Sequence, residues 1–172
     1  LDSLETRELK GSESLGAGRP LFWTDDSRFI VFDAGGTLKK LDTVGGAAQT
    51  LCEVQQSVGG SANRDGVIIF GTTNGAIMRT SQRGGEPLAM TTLESSRGEV
   101  GHRFPSFLPD GRHFLYVRVS TIAEKSSLYL GSLDIKPADQ SSTPLLATSS
   151  GAIFVPPIAS GPGHLLFVRD GA

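Results

Sequence analysis

Four short apolar bursts recur along this 172-residue chain, and their period limits the fold more than any other feature. They are Phe29-Ile30-Val31-Phe32, Val67-Ile68-Ile69-Phe70, Phe114-Leu115-Tyr116-Val117 and Leu165-Leu166-Phe167-Val168. With Phe32, Phe70, Tyr116 and Phe167 taken as equivalent, the spacings are 38, 46 and 51 residues. That period suits a unit of four short antiparallel strands, the blade of a β-propeller. The 22 Gly and 9 Pro break the chain too often for long helices, and strands fit the intervals between them.

Each unit can be read strand by strand. A turn precedes three of the bursts: Asp25-Asp26-Ser27-Arg28, Asn63-Arg64-Asp65-Gly66 and Pro109-Asp110-Gly111-Arg112. Asp suits such a turn because its carboxylate accepts from its own downstream backbone, and Gly because it takes positive φ. First strands are expected at 20–23, 60–63 and 104–108, the middle one weak in strand formers. Third strands are expected at 37–42, 76–80 and 127–134, and fourth strands at 49–52, 87–90 and 143–146. Gly45-Gly46 and Gly84-Gly85 turn the chain between the last two strands of units one and two. The complete blades are therefore expected over 17–54, 59–93 and 101–148. Residues 1–11 read as the end of a preceding blade and 152–172 as the first half of a further one. The fold class is all-β, a propeller segment of three complete blades with partial blades at both ends. Because the chain starts with Leu1 and is cut in mid-unit, it is read as a piece of something longer, whose open blade edges favour self-association.

Charge excludes some functions. Sixteen basic against 18 acidic residues give a net charge of −2, which does not suit nucleic acid as a partner. The stretch 143–168 carries no acidic or basic residue apart from His164, but Pro144, Pro156, Pro157 and Pro162 rule it out as a membrane-spanning helix. The first residues lack the basic and apolar regions of a signal peptide. Cys52 is the only cysteine; it forms no internal disulfide and reads as a small apolar strand residue. Both a cytoplasmic and an extracytoplasmic location remain compatible with this.

The run Pro105-Ser106-Phe107-Leu108-Pro109-Asp110-Gly111-Arg112-His113-Phe114-Leu115-Tyr116 resembles the TolB-like, WD40-like bacterial propeller repeat. The likeness extends through Leu128-Tyr129-Leu130-Gly131-Ser132-Leu133-Asp134 and Leu165 to Gly171. As a whole the pattern resembles propeller regions that follow the kinase domain in bacterial serine/threonine protein kinases. The resemblance implies a non-catalytic sensory or interaction module that binds a protein or peptide partner. Units one and two depart from it by carrying Asp-Asp-Ser-Arg and Asn-Arg-Asp-Gly in place of Pro-Asp-Gly.

No catalytic motif is present. The chain has no Gly-x-Gly-x-x-Gly loop, no His-Arg-Asp and no Asp-Phe-Gly, so it holds no kinase site of its own. It also has no Gly-x-Ser-x-Gly elbow, although a propeller gating a peptidase, or one with a channel-mouth site for a small ligand, is the alternative reading. No cofactor is implied. His102, His113 and His164 lack metal-ligand spacing, and Asp25, Asp26, Asp65 and Asp110 are accounted for by turns without a calcium ion. His113 and His164 enter equivalent second strands as capping or edge residues, and Trp23 reads as inter-blade packing. One polar stretch remains as a candidate ligand site. Arg97 to Arg103 is expected to be a loop entering a first strand at the channel mouth, where Glu99, His102 and Arg103 offer hydrogen bonds to a peptide or small ligand.

Overall fold

The computed structural model describes residues 8–13, 15, 20–157 and 161–168. Three four-stranded antiparallel sheets follow one another, each with its strands in chain order. The first holds β1 (Leu21–Trp23), β2 (Phe29–Ala34), β3 (Thr37–Asp42) and β4 (Gln49–Glu53). The second holds β5 (Ser57–Ala62), β6 (Val67–Thr72), β7 (Met78–Ser81) and β8 (Leu88–Ala89). The third holds β9 (Glu99–Phe107), β10 (His113–Ser120), β11 (Ser127–Ser132) and β12 (Leu146–Ala147). A two-stranded sheet of β13 (Ala152–Val155) and β14 (His164–Phe167) comes last. The first strands β1, β5, β9 and β13 neighbour one another in sequence, as blades do around an axis. The chain is a propeller segment.

The apolar bursts are the second strands, and the packing explains why they do not alternate with polar residues. Val31, Ile69 and Leu115 face the following sheet, whereas Phe70, Tyr116 and Phe167 face the preceding one. Phe32, at the same position in the first sheet, packs with Leu41 against Leu9 and Leu15. A strand buried on both faces must be apolar at successive positions. Each fully buried side chain of this kind contributes about 1.5–3 kcal/mol.

The weak strand expected at 60–63 forms as part of β5, whereas the expectations for Trp23 and for Glu8 to Lys10 do not hold. Gly60 in this strand leaves room for the Phe22 ring of the first sheet, which a Cβ there would strike. Trp23 does not pack between blades. It is 51% exposed, because Phe22 takes the face toward the second sheet and strand alternation turns its neighbours away. Glu8 to Lys10 form no strand; the remainder of that expected element, and residues 158–160 and 169–172 of the last unit, lie outside the described residues.

Candidate functional site

The stretch Arg97–Arg103 is not a loop. A three-residue 3-10 turn, Ser95–Arg97, ends at Gly98 with φ 68°, and β9 begins at once with Glu99. Strand geometry then aims His102 into the seam between the second and third sheets, where it is 0% exposed. Thr91, just past β8, accepts the Ile77 backbone N–H at 2.9 Å and meets His102 Nδ1 at 2.7 Å. His102 Nε2 lies 3.1 Å from Glu99 Oε2, which also accepts the Glu94 N–H at 2.7 Å. One proton arrangement satisfies every partner: the Thr91 hydroxyl donates to Nδ1 and a neutral His102 donates from Nε2 to the carboxylate.

Arg118 closes the cluster from β10. Its guanidinium donates to Tyr116 Oη and to the Ser141 carbonyl, approaches Glu99 Oε1 at 3.4 Å, and stacks 4.1 Å from the Tyr129 ring centroid. Burial pushes the His102 imidazole down to about 4, against the upward pull of Glu99. Burial alone would raise Glu99, but the Glu94 N–H, His102 and Arg118 outweigh it and hold the carboxyl below its ordinary value. Hydroxyl, imidazole and carboxylate in a row are the parts of an acyl-transfer relay. Here they cannot meet a substrate, because Thr91 is 2% exposed and its oxygen already serves a backbone amide. Arg103, half-buried, donates from Nη2 to the Thr73 carbonyl at 2.9 Å in the β6–β7 turn. Glu99 and His102 are thus bonded to each other and buried in the seam, while Arg103 reaches the β6–β7 turn, which lines a recess of about 300 Å3.

An open recess lies at the other end of the strands. About 250 Å3 is enclosed by Asp25, Ser61 to Arg64, Phe107 to Pro109, Gly111 and Phe154, so all four sheets contribute. These residues lie at the ends of first strands and in the turns that lead to second strands, with Phe154 within β13, and the three turns of the complete sheets are built alike. Thr24, Asn63 and Leu108 donate their N–H across the turn to Phe29, Val67 and His113, and accept in return from Ser27, Gly66 and Gly111. Those last three hold positive φ of 55°, 75° and 69°. Asp26 and Asp110 each accept the N–H two residues on, whereas in the second sheet Asn63 Oδ1 accepts from Asp65 and Val67. The Asn63 amide also donates to the Gly111 carbonyl at 2.7 Å, tying the second turn to the third.

Comparing the turns separates structural positions from the one that faces the recess. Arg28 and Arg112 end the turns of the first and third sheets; Arg28 pairs with Asp42 at the end of β3 and Arg112 with Asp134, two residues past β11. The second turn is one residue shorter and lacks that arginine. Its arginine, Arg64, stands at the first turn position instead, in register with Asp25 and Pro109, and all three line the recess. Arg64 and Asp25 are exposed, and among the described residues neither has a hydrogen-bond or ion-pair partner. In the sequence Asp25 and Arg64 both read only as members of turns. The available signal was their shared phase: one repeat position carrying Asp, Arg and Pro.

His113 caps its turn, with Nδ1 2.6 Å from Asp110 Oδ2, and this bond holds the Asp110 carboxyl down to about 2. The described residues contain no cluster of three or more His, Cys, Asp or Glu placed to hold a metal ion. His164 is exposed on β14.

No family model and no curated protein matches this sequence. Among solved structures the chain is similar to one assigned as TolB from Agrobacterium tumefaciens, at 13% identity and a TM-score of 0.43. The match covers 78% of this chain and 63% of that one, so the chain spans less than two thirds of its length.

Proposed function

We propose that this chain is a non-catalytic interaction module that presents one end of its axis to a protein or peptide partner. The carrying observation is the contrast between the two polar clusters. The Thr91–His102–Glu99 row is spent on holding blades together, whereas the recess walled by four successive sheets keeps an unpaired Arg64 and Asp25 at its rim. A rigid sheet scaffold that displays varied residues at one repeated turn position is suited to recognition. The resemblance of residues 105–134 to kinase-linked propellers supports a place within a larger bacterial serine/threonine protein kinase.

Selection of a random-sequence peptide library on the 172-residue chain tests the module, alongside turnover assays with ester, peptide and ATP substrates. Saturable peptide binding without turnover is the expected result. No selectable binder, or steady turnover by the purified chain, contradicts it. The kinase context has its own test, since the parent gene's translation should then carry His-Arg-Asp and Asp-Phe-Gly motifs outside these residues.

A further inference from the structure

We propose that the axial recess holds a free α-amino acid with an apolar side chain. The inference goes beyond the reading of the chain as an interaction module and does not depend on it. The order of the sheets sorts the lining chemically, because the first strands β1, β5, β9 and β13 follow one another as neighbours. The first two sheets supply Asp25 and Arg64, one of each charge, and the last two supply Phe107, Leu108 and Phe154. One side of the recess is therefore charged and the other apolar. Its volume of about 250 Å3 lies below the roughly 300–1,000 Å3 of pockets that take drug-sized ligands, so the occupant is small.

Asp25 and Arg64 stand at the same turn position in adjacent sheets, yet they form no ion pair with each other. Arg28 and Arg112, in contrast, are held by Asp42 and Asp134. A lone anion or a lone cation would leave one of the two rim charges without a counter-charge. A zwitterion meets both. Its carboxylate accepts from the planar guanidinium of Arg64, and its ammonium donates to the Asp25 carboxylate. Ser61 stands where the charged side meets the apolar one: its Oγ accepts the Phe107 N–H at 3.2 Å and leaves its own proton for the ligand carboxylate. The α-carbon of an amino acid carries both charges and the side chain. A molecule anchored on the first two sheets thus sends its side chain toward Phe107, Leu108 and Phe154, and water leaves those walls favourably when an apolar group enters.

The test titrates the isotope-labelled full chain with leucine and with three relatives that each lack one of its parts. Leucine should give a saturable shift of the backbone amides of Ser61, Arg64, Phe107 and Gly111. Leucinamide lacks the carboxylate, N-acetyl-leucine the ammonium and glycine the side chain, and each should bind at least fivefold more weakly. Two variants assign the charges. Arg64→Gln should weaken leucine at least fivefold and leave leucinamide almost unchanged, whereas Asp25→Asn should weaken leucine and leave N-acetyl-leucine almost unchanged. Both residues are exposed and unpaired, so the variants keep the fold, which an unchanged thermal transition verifies. No saturable shift with leucine overturns the inference, as does a shift confined to the Thr73–Ala76 turn. N-acetyl-leucine binding as tightly as leucine also overturns it, since the occupant would then be the C-terminal residue of a peptide. Leucinamide binding as tightly overturns it in favour of an N-terminal residue. Failure of the peptide-library selection removes the module reading alone and leaves the leucine result to decide this one.

Discussion

The Asn63 side-chain amide donates to the Gly111 carbonyl at 2.7 Å, joining the first turns of adjacent blades across 48 residues of sequence. The same side chain accepts from the Asp65 and Val67 N–H groups, so it builds its own turn while anchoring the next. Asn63→Ala should destabilise the chain by about 1–3 kcal/mol, since a buried carbonyl and turn amides lose their partner. Asn63→Asp keeps the acceptor and loses the donor. It should therefore also destabilise, and urea unfolding of a fully stable Asn63→Asp would show that the inter-blade bond matters little.

Acid should loosen the seam between the second and third blades. His102 titrates near 4 in the native state against 6.5 ordinarily, so the unfolded chain takes up the proton first as pH falls. The associated stability is whole above pH 6.5 and is lost between about 6.5 and 4, to a total of about 3 kcal/mol. Glu99, held below its ordinary value, adds a loss in the same direction at lower pH. Thermal unfolding followed from pH 7.5 to 4 should show this slope, and His102→Gln should flatten it. An unchanged slope in that variant would place the acid sensitivity elsewhere.

Much of the fold was legible because its units repeat. The bursts at Phe32, Phe70 and Tyr116 mark the repeated second strands, and Ser27 takes the left-handed place that Gly66 and Gly111 hold in the other turns. The buried relay was not legible, since Thr91 leaves one blade and His102 enters the next, and only the seam brings them together. One clue was present: Arg118 interrupts the apolar run 114–119, and a buried guanidinium requires partners. Arg97–Arg103 reads as a loop because polarity suggests exposure, whereas Glu99 and His102 satisfy one another inside the seam and Arg103 reaches the Thr73 carbonyl. Trp23 misled in the opposite way, because an apolar type at a strand position says nothing of which face that strand turns inward.

The contact of Gly60 with Phe22 predicts a specific epistasis. A Cβ on Gly60 would meet both the Phe22 ring and, at 2.9 Å, the Ile69 carbonyl oxygen. Gly60→Ala should cost about 1–3 kcal/mol through overpacking. Combining it with Phe22→Ala should recover part of that cost, because the ring can be removed but the carbonyl cannot. A double-mutant cycle with strictly additive effects would contradict this packing.

Cys52 should behave as a core residue. It is buried on β4 among Val31, Leu38 and Phe70, and burial raises its thiol above the ordinary value against a weaker opposing bond from Thr80. A thiol reagent at neutral pH should label it only as fast as the chain opens, with full labelling in denaturant. Prompt stoichiometric labelling of the native chain would place the sulfur at the surface.

A partner seated on the recess should leave a local footprint. Amide hydrogen exchange of the full chain, with and without a peptide selected on it, reads that position directly. Added protection should fall on the turns at 61–66 and 107–111, with little change at 73–77 or in the seam strands. Protection confined to the β6–β7 turn, or spread evenly over the sheets, would contradict an axial recess as the binding site.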